Sequence, residues 1–194
     1  MRRIVFLILA MLVSDAMAAN PSYVCNPDQG CREERTAIHD IGLGATITLP
    51  KGWTYFSYPQ APIPEMEGLR EIRAFKGGVV IAITPVPNIN RKMLSEDTLR
   101  GLHAKATAQY ADQSKERASK FVSMSRGDLV GGYASFTAMN DGERPFAVLR
   151  NRTFSSVTSF VISYKFVVFS VSVASERSPD EDYRQAVSAI VSIK

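Results

Sequence analysis

The segment FVVFSVSVA, residues 166–174, decides the fold class of this chain. Four apolar residues alternate along it and would share one face of an extended strand: Val167, Phe169, Val171 and Val173. Phe166 and Val168 begin a second apolar face. Because a strand that is apolar on both faces is covered on both sides, the pattern predicts a strand at the centre of its sheet.

The residues before this segment carry repeated strand and turn signals. Alternating and β-branched runs predict strands at 36–39, 45–49, 53–58, 69–75, 79–84, 121–125, 130–138, 146–154 and 159–164. Gly77-Gly78 and Asn140-Asp141-Gly142 predict tight turns, and Gly131-Gly132 predicts a break within a strand. Short turns between neighbouring strands are typical of antiparallel pairing.

A first helix is predicted from Ser95 to about Asp112. Ser95 is a favourable N-cap residue, and the acidic Glu96 and Asp97 suit the positive end of the helix dipole. Helical spacing places four residues on one face: Leu99, Leu102, Ala106 and Tyr110. His103 is expected to flank this face.

A second helix closes the sequence. We predict Ser178 as its N-cap, Pro179 in its first position and Glu181 as the capping-box residue. Its buried stripe is predicted to comprise Tyr183, Ala186, Val187, Ile190 and Val191. The order strands, helix, strands, helix predicts one α+β domain at 36–194, with a mostly antiparallel β-sheet covered by helices.

The first 18 residues predict a signal peptide. Arg2 and Arg3 precede an apolar run at 4–13, and Ala16-Met17-Ala18 has the small-residue pattern that signal peptidase cleaves. The run is shorter than the roughly 20 residues that span a bilayer. We therefore expect a mature protein that begins at Ala19, has no membrane span and is periplasmic or secreted.

The two cysteines, Cys25 and Cys31, fall soon after the predicted cleavage site. In an oxidising compartment such a pair predicts a disulfide, which would clip the N-terminal segment 19–35. The alternative is a redox pair, but the C-x5-C spacing differs from the C-x-x-C arrangement of redox motifs.

The net charge and the histidine content limit the classes of partner and of active site that the sequence indicates. The net charge is +4, and loss of Arg2, Arg3 and Asp15 with the signal peptide leaves +3, which does not indicate a nucleic-acid partner. Two histidines, His39 and His103, are too few for a typical zinc site, and G-x-S-x-G is absent. We expect no cofactor, no metal site and no catalytic residue. The alternative is a serine hydrolase that relies on one of these histidines.

One candidate for partner binding is a pair of arginines. Arg150 and Arg152 lie two residues apart, so a strand would present both on one face, with Arg144 and Lys165 expected nearby. Such a patch suits an acidic partner or an anionic wall polymer. The alternative is an ordinary solvated strand face.

A second candidate is aromatic. Tyr55 and Tyr58 lie at the start of a proline-rich segment, and aromatic side chains are enriched in contact surfaces. The alternative is that Trp53, Phe56 and Tyr58 pack into the core of the sheet.

The sequences TITLPKGWTYFSYP (46–59) and YRQAVSAIVSIK (183–194), with the mid-chain helix and the later hairpins, resemble the PsbP-like fold family over about 36–194. That family includes extrinsic photosynthetic proteins, a Ran-binding nuclear import factor and many exported bacterial proteins. The resemblance implies an α/β/α sandwich and a non-enzymatic binding or assembly module. It implies no site residue, because the family has no shared active site.

The sequence therefore predicts an exported, soluble, non-enzymatic domain that acts through protein–protein contact in the cell envelope. The partner is expected to be another protein: a toxin or wall hydrolase that this protein inhibits, or a larger envelope complex that it joins. The alternative is a periplasmic hydrolase with an unrecognised active site.

Overall fold

The structure, a computed structural model, describes residues 37–42, 45–49, 52–59, 69–86, 92–118, 120–149, 152–165, 167–177 and 179–193. The predicted signal peptide 1–18, the segment 19–35 and the predicted Cys25–Cys31 disulfide lie outside the described residues. No helix within these ranges is long and apolar enough to cross a membrane.

The described ranges contain eleven strands and two helices. The strands are β1 (Ala37–Gly42), β2 (Ala45–Leu49), β3 (Thr54–Pro59), β4 (Arg70–Lys76), β5 (Val79–Val86), β6 (Val122–Arg126), β7 (Leu129–Thr137), β8 (Phe146–Leu149), β9 (Arg152–Phe154), β10 (Ser156–Tyr164) and β11 (Val167–Ser175). The helices are α1 (Glu96–Ala111) and α2 (Glu181–Val191).

Seven strands form one antiparallel sheet in the order β3-β4-β5-β11-β10-β7-β6. The strand that is apolar on both faces, β11, lies in the middle of this order, as predicted. Two further hairpins, β1-β2 and β8-β9, lie outside the sheet. The prediction of an α+β fold with a mostly antiparallel sheet is confirmed.

The two faces of the sheet are covered by different elements. Val171 and Val173 of β11 belong to the core that includes α2 and β2, so we call this side the α2 face. Val168 and Ala174 of β11 point to the other side, where α1 contacts β7 and β10 and where the β8-β9 hairpin packs. We call that side the α1 face. Three layers therefore result, with the sheet in the middle.

Helix α1 begins where it is predicted, but its buried face is different. The Ser95 side chain accepts a hydrogen bond from the amide of Thr98, which satisfies one free N–H of the first turn. The buried residues of α1 are Leu99, His103, Thr107 and Tyr110. Leu102 and Ala106, predicted to be buried, are half-exposed. Polar side chains can occupy the buried face here because they are hydrogen bonded: Thr107 Oγ1 donates to the carbonyl of His103 at 2.9 Å.

Helix α2 begins later than predicted. Asp180, and not Ser178, is its N-cap: Asp180 Oδ1 accepts a hydrogen bond from the amide of Tyr183 at 2.9 Å. A carboxylate at this position also benefits from the helix dipole. The buried stripe includes Ala189, which the apolar spacing did not select, whereas Val187 and Val191 are only partly buried.

The glycine pair Gly131-Gly132 does not break its strand, contrary to the prediction. Strand β7 runs through both residues, which pair with Ile162 and Val161 of β10. A Cβ at Gly131 would lie 2.2 Å from the carbonyl oxygen of Val161, and one at Gly132 would lie 2.3 Å from Cζ of Phe121. The glycines are therefore required for close approach and not for a turn.

Two other strand boundaries differ from the prediction. The predicted strand at 146–154 is the hairpin of β8 and β9, and β10 begins at Ser156, three residues earlier than predicted. Both differences concern residues just before the central pair of strands. The second difference concerns Ser155 and Ser156. The alternation of polar and apolar residues did not assign these two serines to a strand, and they lie at an end of the sheet.

We expect Gly131→Ala to lower the free energy of unfolding by about 1–3 kcal/mol, because its methyl group would meet backbone atoms that cannot move aside. Urea unfolding can be followed by the fluorescence of Trp53, the single tryptophan, which is 9% exposed. The matched control is Gly101→Ala in α1, where a Cβ meets nothing within 4 Å. That change should stabilise by roughly 1 kcal/mol. Equal midpoints for the two variants would contradict the close approach.

Candidate functional site

A cleft with a volume of about 220 Å³ opens at one end of the sheet. Three strand ends contribute to it: the end of β7 with Thr137, the start of β10 with Ser155 and Ser156, and the residues after β11, Glu176 and Arg177. The loop between β7 and β8 forms the remaining wall. We call this feature the strand-end cleft.

Backbone hydrogen bonds hold the three strand ends together. The amide of Ala138 donates to the carbonyl of Ser155, and the amide of Ser155 donates to the carbonyl of Ser175, each at 2.8 Å. Ser155 Oγ donates to the carbonyl of Glu176 at 3.0 Å. Groups carried on paired strands are placed more accurately than groups on loops, so this part of the cleft is preorganised.

The loop wall is shaped by the predicted turn at Asn140-Asp141-Gly142. Gly142 has a φ of 88°, a conformation that glycine adopts without strain. The side-chain amide of Asn140 donates to Glu143 Oε1 at 2.8 Å. Asp141 lies 3.2 Å from Lys115 Nζ, so a cation already faces this carboxylate.

Ser156 carries a hydroxyl group that lacks a protein partner. The residue is 1% exposed and lines the cleft, yet its Oγ forms no hydrogen bond with the part of the protein that the structure describes. A buried polar group in this state costs about 1–3 kcal/mol. Such a cost is unusual in folded proteins and calls for an explanation.

Two residues further along β10, a hydroxyl on the same face is fully bonded. Thr158 Oγ1 shares hydrogen bonds with Ser135 Oγ at 2.8 Å and with the hydroxyl of Tyr183 at 2.6 Å. Burial raises the pKa of the Tyr183 phenol well above its ordinary value, so the phenol stays neutral. Bonding of this kind is what Ser156 lacks.

The charges around the cleft are unevenly paired. Arg152 donates from Nε (3.2 Å) and Nη2 (2.5 Å) to Glu176 Oε1, and this hydrogen bonding holds the pKa of Glu176 below its ordinary value. Arg144 is more distant from the same carboxylate, at 3.7 Å. Arg177 is exposed and forms no ion pair with the described residues. Arg144 and Arg177 therefore retain free hydrogen-bond donors.

Of the two arginines predicted to form a patch, the described residues include Arg152. Arg152 is half-buried: it is bonded to Glu176 and lies over the rings of Phe75 and Phe154, 5.9 and 5.7 Å from their centroids. Its guanidinium is therefore engaged by Glu176, a residue of the cleft wall. Arg150 lies outside the described residues.

The other two predicted neighbours of the patch lie at different ends of the sheet. Arg144 shares Glu176 with Arg152, as expected. Lys165, however, lies in the turn before β11, whereas Glu176 follows that strand. Nine residues of extended backbone separate the two ends by roughly 30 Å. Lys165 is therefore not part of this surface.

The aromatic candidates are placed in strand β3. Tyr55 pairs with Ala74 and Tyr58 with Glu71 in the register of β3 with β4, while their side chains lie outside the described part. Trp53 is buried in the core of the α2 face, and Phe56 contacts Phe75 edge-on at 5.9 Å. For these two aromatics the alternative, packing against the sheet, is the one observed.

His103 lies away from the cleft, on the α1 face. Its Nε2 is 2.9 Å from the carbonyl oxygen of Ser159, which assigns the ring hydrogen to Nε2, and Nδ1 has no described partner. Burial lowers the pKa of His103, so the ring is neutral at pH 7. The side chain of His39 lies outside the described residues. No group of three or more His, Cys, Asp or Glu in the described ranges could hold a metal ion.

Neither the periodicity nor the motif spacing of the sequence indicates Ser156, Glu176 or Arg177 as site residues. The sequence does carry one indication of this site: Ser155-Ser156 is a polar pair between Phe154 and Val157, where strand alternation allows only one polar residue.

The sequence and its fold match no family model, no curated protein and no solved structure. The PsbP-like resemblance remains a prediction.

We expect the folded protein to lose stability as the pH falls below about 6.5, the ordinary histidine pKa. The unfolded state then binds a proton at residue 103 that the folded state, with its lowered pKa, does not, so the loss continues until the folded pKa is reached. Urea unfolding at pH 7.5 and 5.5 should show a smaller drop for His103→Gln. An NMR titration that gives His103 a pKa at or above 6.5 would contradict this assignment.

We expect Ser156→Ala to raise the free energy of unfolding by about 1 kcal/mol, because it removes a buried hydroxyl that has no described partner. Thr158→Val is the matched control on the same face of β10. It should destabilise by about 1–3 kcal/mol, since it leaves the hydroxyl of Tyr183 without its Thr158 partner. A loss of stability in Ser156→Ala similar to that in Thr158→Val would show that Ser156 has a structural role.

Proposed function

We propose that the protein is an exported, non-enzymatic domain that binds another protein in the cell envelope, and that the strand-end cleft receives one group of that partner. The observation that carries the proposal is the buried, unpartnered hydroxyl of Ser156 in a cleft that also presents Arg144 and Arg177. In folded proteins a buried polar group without a protein partner is bonded by water, by an ion or by a ligand, or it belongs to a functional or strained site.

The size of the cleft favours a group of a macromolecule over a complete small ligand. Pockets that enclose drug-sized molecules measure about 300–1,000 Å³, and this cleft measures about 220 Å³. That volume suits a single side chain or the end of a polypeptide. The rest of the partner would then contact the surface around the cleft, near Met139, which is exposed although apolar.

The export component of the proposal is supported by the first 18 residues. They combine a positive start, an apolar run of signal-peptide length and a small-residue cleavage pattern. Export would bring the protein to the compartment in which the Cys25–Cys31 pair oxidises.

Site-specific photocrosslinking in the source organism tests the proposal. A photoreactive benzoylphenylalanine replaces Asn140 in the exposed loop of the cleft and, as the matched control, Arg126, which is exposed at the opposite end of the sheet. We expect one discrete adduct from position 140 and none from position 126. The uncrosslinked protein should begin at Ala19 and fractionate outside the cytoplasm.

Two outcomes would contradict the proposal. Adducts of the same mass from both positions would show that contact does not depend on the cleft. A protein that remains cytoplasmic with Met1 attached would remove the export component, whatever the crosslinking shows.

A further inference from the structure

The strand-end cleft has a defined chemical preference, because its free groups are donors. A serine hydroxyl can donate one hydrogen bond, and each guanidinium carries five N–H groups and no acceptor. Ser156 supplies the buried donor, and Arg144 and Arg177 supply the charged ones. An acceptor group in the cleft would be attracted by both arginines, and it would satisfy the Ser156 hydroxyl once that buried side chain rotates toward it.

The acidic residues of the cleft walls are already bonded. Glu176 receives two hydrogen bonds from Arg152, and Asp141 faces Lys115. An entering cation would meet these occupied carboxylates together with two arginines, so binding of a cation is disfavoured. An entering anion meets donors whose charge the walls do not fully neutralise.

We infer that the group bound in the strand-end cleft is a carboxylate of the partner protein, from an acidic side chain or from the partner's own C-terminus. The inference rests on the proposed function and specifies which group the cleft receives. Arg177 would engage the two carboxylate oxygens through its planar fork, and Ser156 Oγ would donate to one of them. Arg144, held only loosely by Glu176, would add a third cationic contact at the rim.

A carboxylate is the anion that the proposed kind of partner would bring to this site. The proposed partner is a protein, and the anionic group that proteins ordinarily present is the carboxylate of an acidic side chain or of the C-terminus. The guanidinium fork accepts such a carboxylate through two parallel hydrogen bonds.

NMR titration of the purified protein, in the form that its host exports, tests the inference directly. The probes are N-acetyl-glutamate N-methylamide for an acidic side chain and N-acetyl-alanine for a C-terminal carboxylate. Their neutral control is N-acetyl-glutamine N-methylamide. We expect saturable shifts of the Ser156 amide and of the Arg177 side chain with at least one carboxylate probe, with a dissociation constant on the order of 1 mM.

Variants separate binding from folding. Arg177→Gln and Ser156→Ala should each weaken the binding of the carboxylate probe, by about 10-fold for the arginine and by somewhat less for the serine. Arg126→Gln is the matched control, because it removes an exposed arginine at the opposite end of the sheet. Its affinity should equal that of the unchanged protein. Spectra that retain the dispersion of the unchanged protein confirm that each variant is folded.

Three results would overturn the inference. The first is chemical-shift changes with the neutral probe that equal those with the carboxylate probes. The second is an unchanged affinity of Arg177→Gln for the carboxylate probe. The third is competition by sulfate as strong as that by either carboxylate, which would indicate a general anion site only. Failure here can be told apart from failure of the proposed function. A crosslink from position 140 that persists in Arg177→Gln would support the binding function and contradict the carboxylate preference. Carboxylate binding by a protein that forms no crosslink would support the carboxylate preference and contradict the binding function.

Discussion

The burial of β11 on both faces is the constraint on which the rest of this structure depends. The strand pairs along its length with β5 on one side and β10 on the other, and its side chains enter the cores of both faces. Each face must therefore be covered, which α2 and the β1-β2 hairpin do on one side, and α1 and the β8-β9 hairpin do on the other. The same strand brings Glu176 and Arg177 to the cleft.

Much of the fold could be predicted because it is encoded in local periodicity. The two apolar faces of residues 166–174 indicated the central strand, and Ser95 marked the start of α1. The predictions failed where a contact with a residue distant in the sequence determines the structure. The role of Gly131 becomes apparent only when Val161 lies against it, and His103 is buried because the carbonyl of Ser159 accepts its hydrogen bond.

The candidate site was much less accessible to prediction from sequence. Its walls come from strand ends that are far apart in the sequence, at Thr137, Ser156 and Arg177, and no spacing rule connects them. The arginine pattern offered Arg152 as a candidate binding residue, but it did not indicate Glu176, to which Arg152 is bonded. Whether Ser156 has a hydrogen-bond partner is a property of the folded molecule alone. A sequence can show a polar residue at an apolar position, but not what that residue lacks.

The location of the cleft on the central strands links occupancy to the folding equilibrium. Its walls exist only while β7, β10 and β11 are paired, so a partner that enters it binds the native state and not the unfolded state. By mass action, an occupant present at a hundred times its dissociation constant adds about 2.7 kcal/mol to the stability of the whole domain. Under the proposed function, copies bound to the partner would therefore resist proteolysis longer than unbound copies, and the abundance of the protein would follow that of its partner.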